Sequence, residues 1–417
     1  MNILLKSAKI IAPNSEFHQQ TKDIFIENGI ISKIEDSITS SEDTKVIDLK
    51  NLHVSEGWFD SSVSIGEPGY EERETIENGL KTAALSGFTG IAVNPNANPI
   101  ADTNADIGFL KAKALGKATA LYPIGALTIK SESVDLAELF DMKNAGAVAF
   151  GDYQQPISNP NLLKIALQYA QNFDGLVLSF PQENKIAGKG IVNEEANGTK
   201  LGLKGIPALA EELQIARDLF ILEYTGGKIH IPTISTEKSV SLIKEAKDKG
   251  LDVSCSVAIH NLILTDDALE EFDTNYKLLP PLRTKKDTEA LIKGLKDGTI
   301  DFVTSDHNPL DVEQKNVEFD HAMYGSIGLE SAFGALHKIL DLEKTVEVLT
   351  NGKSRFGIPT ETIKVGSNAN LSLFNPEEAY VFSTKNIISS TKNSAFLGEE
   401  LKGKSYGIIA NGQVEIL

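Results

Sequence analysis

Val54-Ser55-Glu56-Gly57-Trp58-Phe59 is an apolar stretch of strand length, followed by an amphipathic pattern at 72–86 and then by Phe88-Thr89-Gly90-Ile91-Ala92-Val93. Two strand-like runs separated by a helical one read as a parallel βαβ unit, because parallel neighbours need a long crossover, usually a helix. The same grammar continues outward along the chain. Further apolar runs lie at 118–127, 145–150, 175–180, 228–234, 252–258 and 300–305, with helical patterns at 104–115, 161–171, 207–224, 236–249 and 286–296. Eight alternating units predict a (β/α)8 TIM-type barrel, with a shorter open doubly wound sheet as the alternative.

The two ends have a different texture. Segments 3–11, 23–27, 29–35 and 45–48 are short and β-like, with a hairpin signal at Asn28-Gly29, and segments 369–374 and 405–416 repeat the pattern around Asn411-Gly412. A few strands are marginal alone. Both ends are therefore expected to join in one discontinuous β-domain, 1–54 with 366–417, beside a barrel at 55–365. The longest irregular segments, 181–206 and 308–328, have the length of lids or binding loops.

Composition narrows the function classes. A formal net charge of −18 over 417 residues repels a phosphate backbone, so no nucleic-acid partner is expected. The amino-terminal Met1-Asn2-Ile3-Leu4-Leu5-Lys6-Ser7 lacks the apolar region of a signal peptide, and no apolar run approaches the roughly 18 residues of a membrane span. A cytoplasmic chain with no membrane association is the expectation. The single cysteine, Cys255, leaves no disulfide framework or multi-cysteine metal site, and its setting in Val253-Ser254-Cys255-Ser256-Val257 reads as a buried strand thiol.

A barrel of this type carries its active site at the carboxyl ends of the strands. The residues predicted there are Ser62 and Ser64, Asn94 and Asn96, Asp152, Phe180, Thr233 and Ser235, and Asp306 with His307. Only Asp152, Asp306 and His307 offer metal-ligand chemistry, with His230 nearby. Each also has a structural reading. Asp306 would hydrogen-bond the end of strand eight, Asp152 would face solvent from a loop, Asn94 and Asn96 would shape an Asn-Pro-Asn turn, and His230 would sit in a satisfied hydrogen bond. His260 and Arg283 read as structurally paired loop residues.

The segment Phe59-Asp60-Ser61-Ser62-Val63-Ser64-Ile65-Gly66-Glu67-Pro68-Gly69-Tyr70 resembles the first-strand signature of cyclic-amide hydrolases, dihydroorotase above all, which runs Asp-x-His-x-His-x-Arg-Glu-Pro-Gly. Similar to that family in order are also Glu74-Thr75-Ile76-Glu77-Asn78-Gly79, Asn94-Pro95-Asn96-Ala97-Asn98-Pro99, Gly202-Leu203-Lys204-Gly205-Ile206-Pro207, Pro280-Pro281-Leu282-Arg283 and Ser305-Asp306-His307. The resemblance spans nearly the whole chain and implies the barrel, pyrimidine biosynthesis, and interconversion of carbamoyl aspartate and dihydroorotate. In that chemistry zinc lowers the pKa of a water and polarises the amide, while an aspartate matching Asp306 moves the proton.

Departures from the family pattern fall on function. Four ligand positions hold Ser62, Ser64, Phe180 and Thr233, the carboxylate-binding arginine is Gly66, and two further substrate positions hold Leu279 and Leu310. Successive odd or even strand positions share a face, so paired histidines can grip one ion where serine hydroxyls are poor zinc ligands. What the resemblance retains is Asn96 at a substrate-contacting position and Asp306 as a vestigial acid/base. The expectation is a chain without metal, cofactor or turnover, acting as an assembly or regulatory partner, with aspartate transcarbamoylase as the partner and a homodimer as the implied state. The alternative is an active or weak dihydroorotase or cyclic-amide hydrolase.

Overall fold

The computed structural model describes residues 2–417. Barrel strand one, Trp58–Val63, is buried at every position, as expected of a parallel strand covered on both faces. Strands two to eight are Phe88–Val93, Ala120–Gly125, Ala149–Phe150, Leu176–Leu178, Lys228–Ile231, Val253–Ala258 and Phe302–Thr304, each paired in parallel with the next. A parallel bridge between Val63 and His307, with Ser64 N donating to His307 O at 2.7 Å, joins the eighth strand's exit to the first. The barrel is therefore nearly closed, and the open-sheet alternative is set aside.

Its inner layer is aromatic and aliphatic: Phe59, Ala92, Ile124, Ala149, Leu178, Phe302 and Phe356 pack together. Helices Ile76–Leu85, Asn104–Lys113, Pro160–Ala170, Ala208–Thr225, Glu237–Asp248 and Lys285–Lys296 cover the outside, close to the spans expected from periodicity. Threonine caps start four of them: Thr75, Thr103, Thr236 and Thr284 each accept a backbone N–H from the first turn. Helix Leu139–Ala145 and the helices Ala332–His337 and Leu342–Thr350 after strand eight carried no clear signal in the sequence.

Strands from the two termini build one further sheet. Its order is Gln413–Ile416, Glu400–Ala410, Leu371–Val381, His53–Glu56, Asn2–Ile10, Thr21–Glu27, Ile30–Glu35, with Thr44–Ile47 also on Asn2–Ile10. The carboxy-terminal strand Leu371–Val381 pairs antiparallel with His53–Glu56, so the ends hold each other in place. At both expected hairpins the Asn-Gly pair has positive φ throughout, 50° and 82° at Asn28-Gly29 and 52° and 71° at Asn411-Gly412.

Two expectations need correction. The run 54–59 is not one strand: residues 53–56 belong to the terminal sheet and the barrel begins at Trp58. Between them Gly57 leaves no room for a side chain, since a Cβ there would lie 2.0 Å from Asn370 Oδ1 and 2.1 Å from Thr89 Oγ1. Hydropathy is continuous across this corner, so period alone could not find it. Segment 181–206 is not irregular either. It holds helical turns Asn184–Ala187 and Ala196–Leu201 and a ladder between Val192–Asn193 and Gly205–Ile206. Buried Arg283 anchors it through Asn193 Oδ1 at 2.9 Å and Ile206 O at 2.7 Å.

Candidate functional site

At the carboxyl ends of strands one, two, four and eight, a continuous hydrogen-bonded cluster replaces what the family pattern would make a ring of imidazoles. Ser62 Oγ donates to Asp306 Oδ1 at 2.8 Å. Asn94 Nδ2 reaches Ser62 Oγ at 3.1 Å and Ser64 Oγ at 3.3 Å, and Asn96 Nδ2 reaches Ser64 Oγ at 3.0 Å. Both serine hydroxyls thus project to the same side, as their alternate positions require. Asn96 Oδ1 is buried without a hydrogen-bond partner.

Tyr153 and Gln154, which sequence reading missed, close the cluster from above. Tyr153 Oη donates to Asp306 Oδ1 at 3.3 Å, and Gln154 Nε2 binds Tyr153 Oη at 3.2 Å and the Leu279 carbonyl at 2.9 Å. Gln154 adopts φ 54°, in the left-handed region. The only sequence signal was their place directly after strand four and Asp152. What remains at the mouth is a cavity of about 30 Å³ beside Phe180, His230 and Thr233. That admits one or two waters, whereas ligand pockets run from about 300 Å³ upward.

Asp306 has backbone φ 46°, and burial pushes its carboxyl up to about 7. The Ser62 hydrogen bond opposes that shift, the nearby Asp60 carboxylate adds to it, and the Tyr153 hydrogen bond opposes it again. The expectation that Asp306 binds the end of strand eight is corrected: that task belongs to Asp60, which accepts Thr304 Oγ1 and Ser305 N. The neighbouring His307 imidazole is held neutral, its pKa lowered by burial to about 4. Its Nδ1 accepts from Gly328 N at 3.2 Å, which leaves Nε2 as a buried donor without a partner.

Asp152 is likewise corrected. It is 4% exposed, and rather than facing solvent it ties the turn after strand three by accepting Leu127 N at 2.9 Å and Thr128 N at 3.1 Å. His230 follows the structural reading: its ring nitrogens face Ser254 Oγ at 2.8 Å and Ser256 Oγ at 3.1 Å, and its ring stacks on Phe302. His260 does not find full pairing, since its Nε2 is buried alone, whereas Arg283 does. Cys255 is fully buried in strand seven, and burial drives its thiol pKa upward.

These residues do not fit a zinc centre. Asp152 and His230 are engaged by backbone N–H groups and serine hydroxyls, Phe180 and Thr233 bring an apolar ring and a hydroxyl, and Asp306 accepts from Ser62 and Tyr153 while Asp60 is tied to strand eight. Among the described residues, no three His, Cys, Asp or Glu side chains converge as a metal site. The position corresponding to the substrate arginine is closed as well. A Cβ on Gly66 would lie 1.9 Å from the Tyr70 carbonyl oxygen and 3.1 Å from that of Glu74.

The barrel with its appended sheet is a fold shared with solved hydantoinases. L-Hydantoinase (dihydropyrimidinase) from Arthrobacter aurescens superposes with TM-score 0.85 at 22% identity, over 100% of this chain and 97% of that one. D-Hydantoinase (dihydropyrimidinase) from a Thermus species gives 0.82 at 22%, over 99% and 95%. A family model described as dihydro-orotase-like matches residues 53–239. Dihydroorotase of Pelotomaculum thermopropionicum is 39% identical over 99% of this chain and 98% of its own length, and that of Acetivibrio thermocellus is 38% identical over 99% of each. The chain belongs to the dihydroorotase family.

Proposed function

We propose that this chain is a dihydroorotase-like protein of pyrimidine biosynthesis that has lost zinc-dependent turnover and acts as an assembly or regulatory partner, with aspartate transcarbamoylase as the partner to test. One observation carries the reading: the Ser62–Asp306–Tyr153 hydrogen bonds occupy the reaction centre from within the chain. Without a metal, water keeps a pKa near 15.7 instead of about 7, and a lone aspartate has no hydroxide to deliver. The absence of a pocket arginine removes a bidentate partner for a substrate carboxylate. A rigid barrel still offers surfaces, and a bound partner would be stabilised by mass action.

A second reading, an active dihydroorotase or a cyclic-amide hydrolase with a rebuilt pocket, is favoured by the full-length likeness to proteins named dihydroorotase and by Asp306, whose pKa of about 7 suits proton transfer near neutral pH. Elemental analysis of the dialysed protein, with turnover of dihydroorotate and carbamoyl aspartate followed with and without added zinc, separates the two. The first reading expects no tightly held zinc and a rate equal to the protein-free control. Zinc-dependent turnover assigns the second. For the partner role, the transcarbamoylase from the same organism is sized and assayed with and without this chain. Unchanged size, stability and activity would remove that part of the proposal.

A further inference from the structure

Residues leaving a strand alternate in direction, so only half of the strand-one exit serves the reaction centre. Ser62 and Ser64 reach Asp306 and Asn96, whereas Ile65 and Glu67 turn the other way. Behind them, between the exits of strands one and two and helix Asn104–Lys113, lies a second cavity of about 290 Å³. Its walls include Ile65, Val93, Ala101 and Leu110, and Phe109 stands at its mouth. Asn94 lines both this cavity and the one beside Asp306, and its Nδ2 is spent on Ser62 and Ser64, so its side chain forms a partition between them. Close packing ordinarily leaves few voids larger than a water molecule. A dry cavity of about 150 Å³ already takes up benzene, and small-molecule pockets begin near about 300 Å³. Size and lining together suit an aromatic ring carrying a short chain.

Charge at the mouth selects among such molecules. Glu67 and Lys113 cancel one another: Glu67 Oε1 lies 2.9 Å from Lys113 Nζ, and its Oε2 accepts Ile76 N at 2.9 Å. The Lys113 pKa is raised, first by Glu67 and then by Glu71 and Glu77, so this cation is outnumbered by carboxylates. Asp106 also lines the cavity. It gives only Oδ2 to the helix cap, accepting Thr103 N at 3.1 Å and Thr103 Oγ1 at 2.6 Å, and its Oδ1 is uncommitted. The helix N-terminus, which would otherwise favour an anion, is already capped by Thr103 and Asp106. An anion entering here meets unbalanced carboxylates, whereas an ammonium finds Asp106 Oδ1 as its acceptor.

We propose that this cavity binds a compact aryl-alkyl amine, its ring among Ile65, Val93 and Leu110 and its ammonium at Asp106. The assignment does not depend on whether the barrel turns over. The test is calorimetric titration of the full-length chain with 2-phenylethylamine, its neutral counterpart ethylbenzene and the anionic phenylacetate. 2-Phenylethylamine is expected to bind with a Kd below about 1 mM, ethylbenzene several-fold more weakly, and phenylacetate about 10-fold or more below the amine. Ala105→Phe, at an exposed position on the mouth, is expected to keep native Trp58 fluorescence while lowering the affinity for the amine about 10-fold or more. Asp106→Asn is expected to bring the amine down to the level of ethylbenzene and to leave ethylbenzene unchanged. The absence of saturable binding of the amine overturns the proposal. So does phenylacetate bound as tightly as the amine, or an affinity for the amine that a folded Ala105→Phe or Asp106→Asn leaves unchanged.

Discussion

Replacing Asp306 by asparagine should stabilise this protein, and increasingly so as the pH rises. Asp306 is buried and its pKa is raised to about 7, whereas an unfolded aspartate titrates near 3.9. Below about pH 4 both states are protonated and the group costs nothing. As pH climbs from 4 to 7 the unfolded chain releases its proton first, so stability falls with pH until the folded group ionises too. The raised value corresponds to about 4 kcal/mol above pH 7, of which roughly a third is already lost at pH 5. Asparagine removes the titration while its amide oxygen can still accept from Ser62 and Tyr153. The gain of Asp306→Asn over wild type should therefore be larger at pH 8 than at pH 5 by about 3 kcal/mol. Urea unfolding at the two pH values, followed by the fluorescence of the single, fully buried Trp58, measures it. Equal gains at both, or a loss that grows with pH, would refute the argument that burial dominates this carboxyl.

Other outcomes follow from the same geometry. Gly66→Ala should cost about 3 kcal/mol or more, because the new methyl meets a backbone carbonyl and not a flexible side chain; an unchanged denaturation midpoint would show that the 66–70 loop can open. Ser62→His combined with Ser64→His should neither retain zinc through dialysis nor start dihydroorotate turnover, since Phe180 and Thr233 still face the cavity and Tyr153 still covers Asp306; elemental analysis and a turnover assay check both. Tyr153→Phe should push the Asp306 pKa higher by removing a hydroxyl that donates to the carboxylate, which would appear as an upward displacement of the pH at which stability levels off. Cys255 should react with thiol reagents only at the rate of unfolding, and fast labelling of the native chain would contradict its place in strand seven.

What the sequence determined by itself was whatever depends on local period. Strand two and the helices at 104–113, 208–225 and 285–296 were legible because burial on one or both faces imposes a hydrophobic pattern that needs no partner to be read. The framework motifs placed Ser62, Ser64, Phe180 and Thr233 at the barrel mouth on the same basis, through their positions at strand ends. Tertiary structure decided the rest. That residues 53–56 leave the barrel for the terminal sheet depends on pairing with Leu371–Phe374, more than 300 residues away, which no local window contains. That Asp60 and not Asp306 holds strand eight, that Asp152 is spent on a turn, and that Tyr153 stoppers the site are facts about which polar groups meet when eight strand ends converge. A buried polar atom takes whichever partner the fold brings within hydrogen-bond reach, and composition and spacing along one strand do not specify that partner.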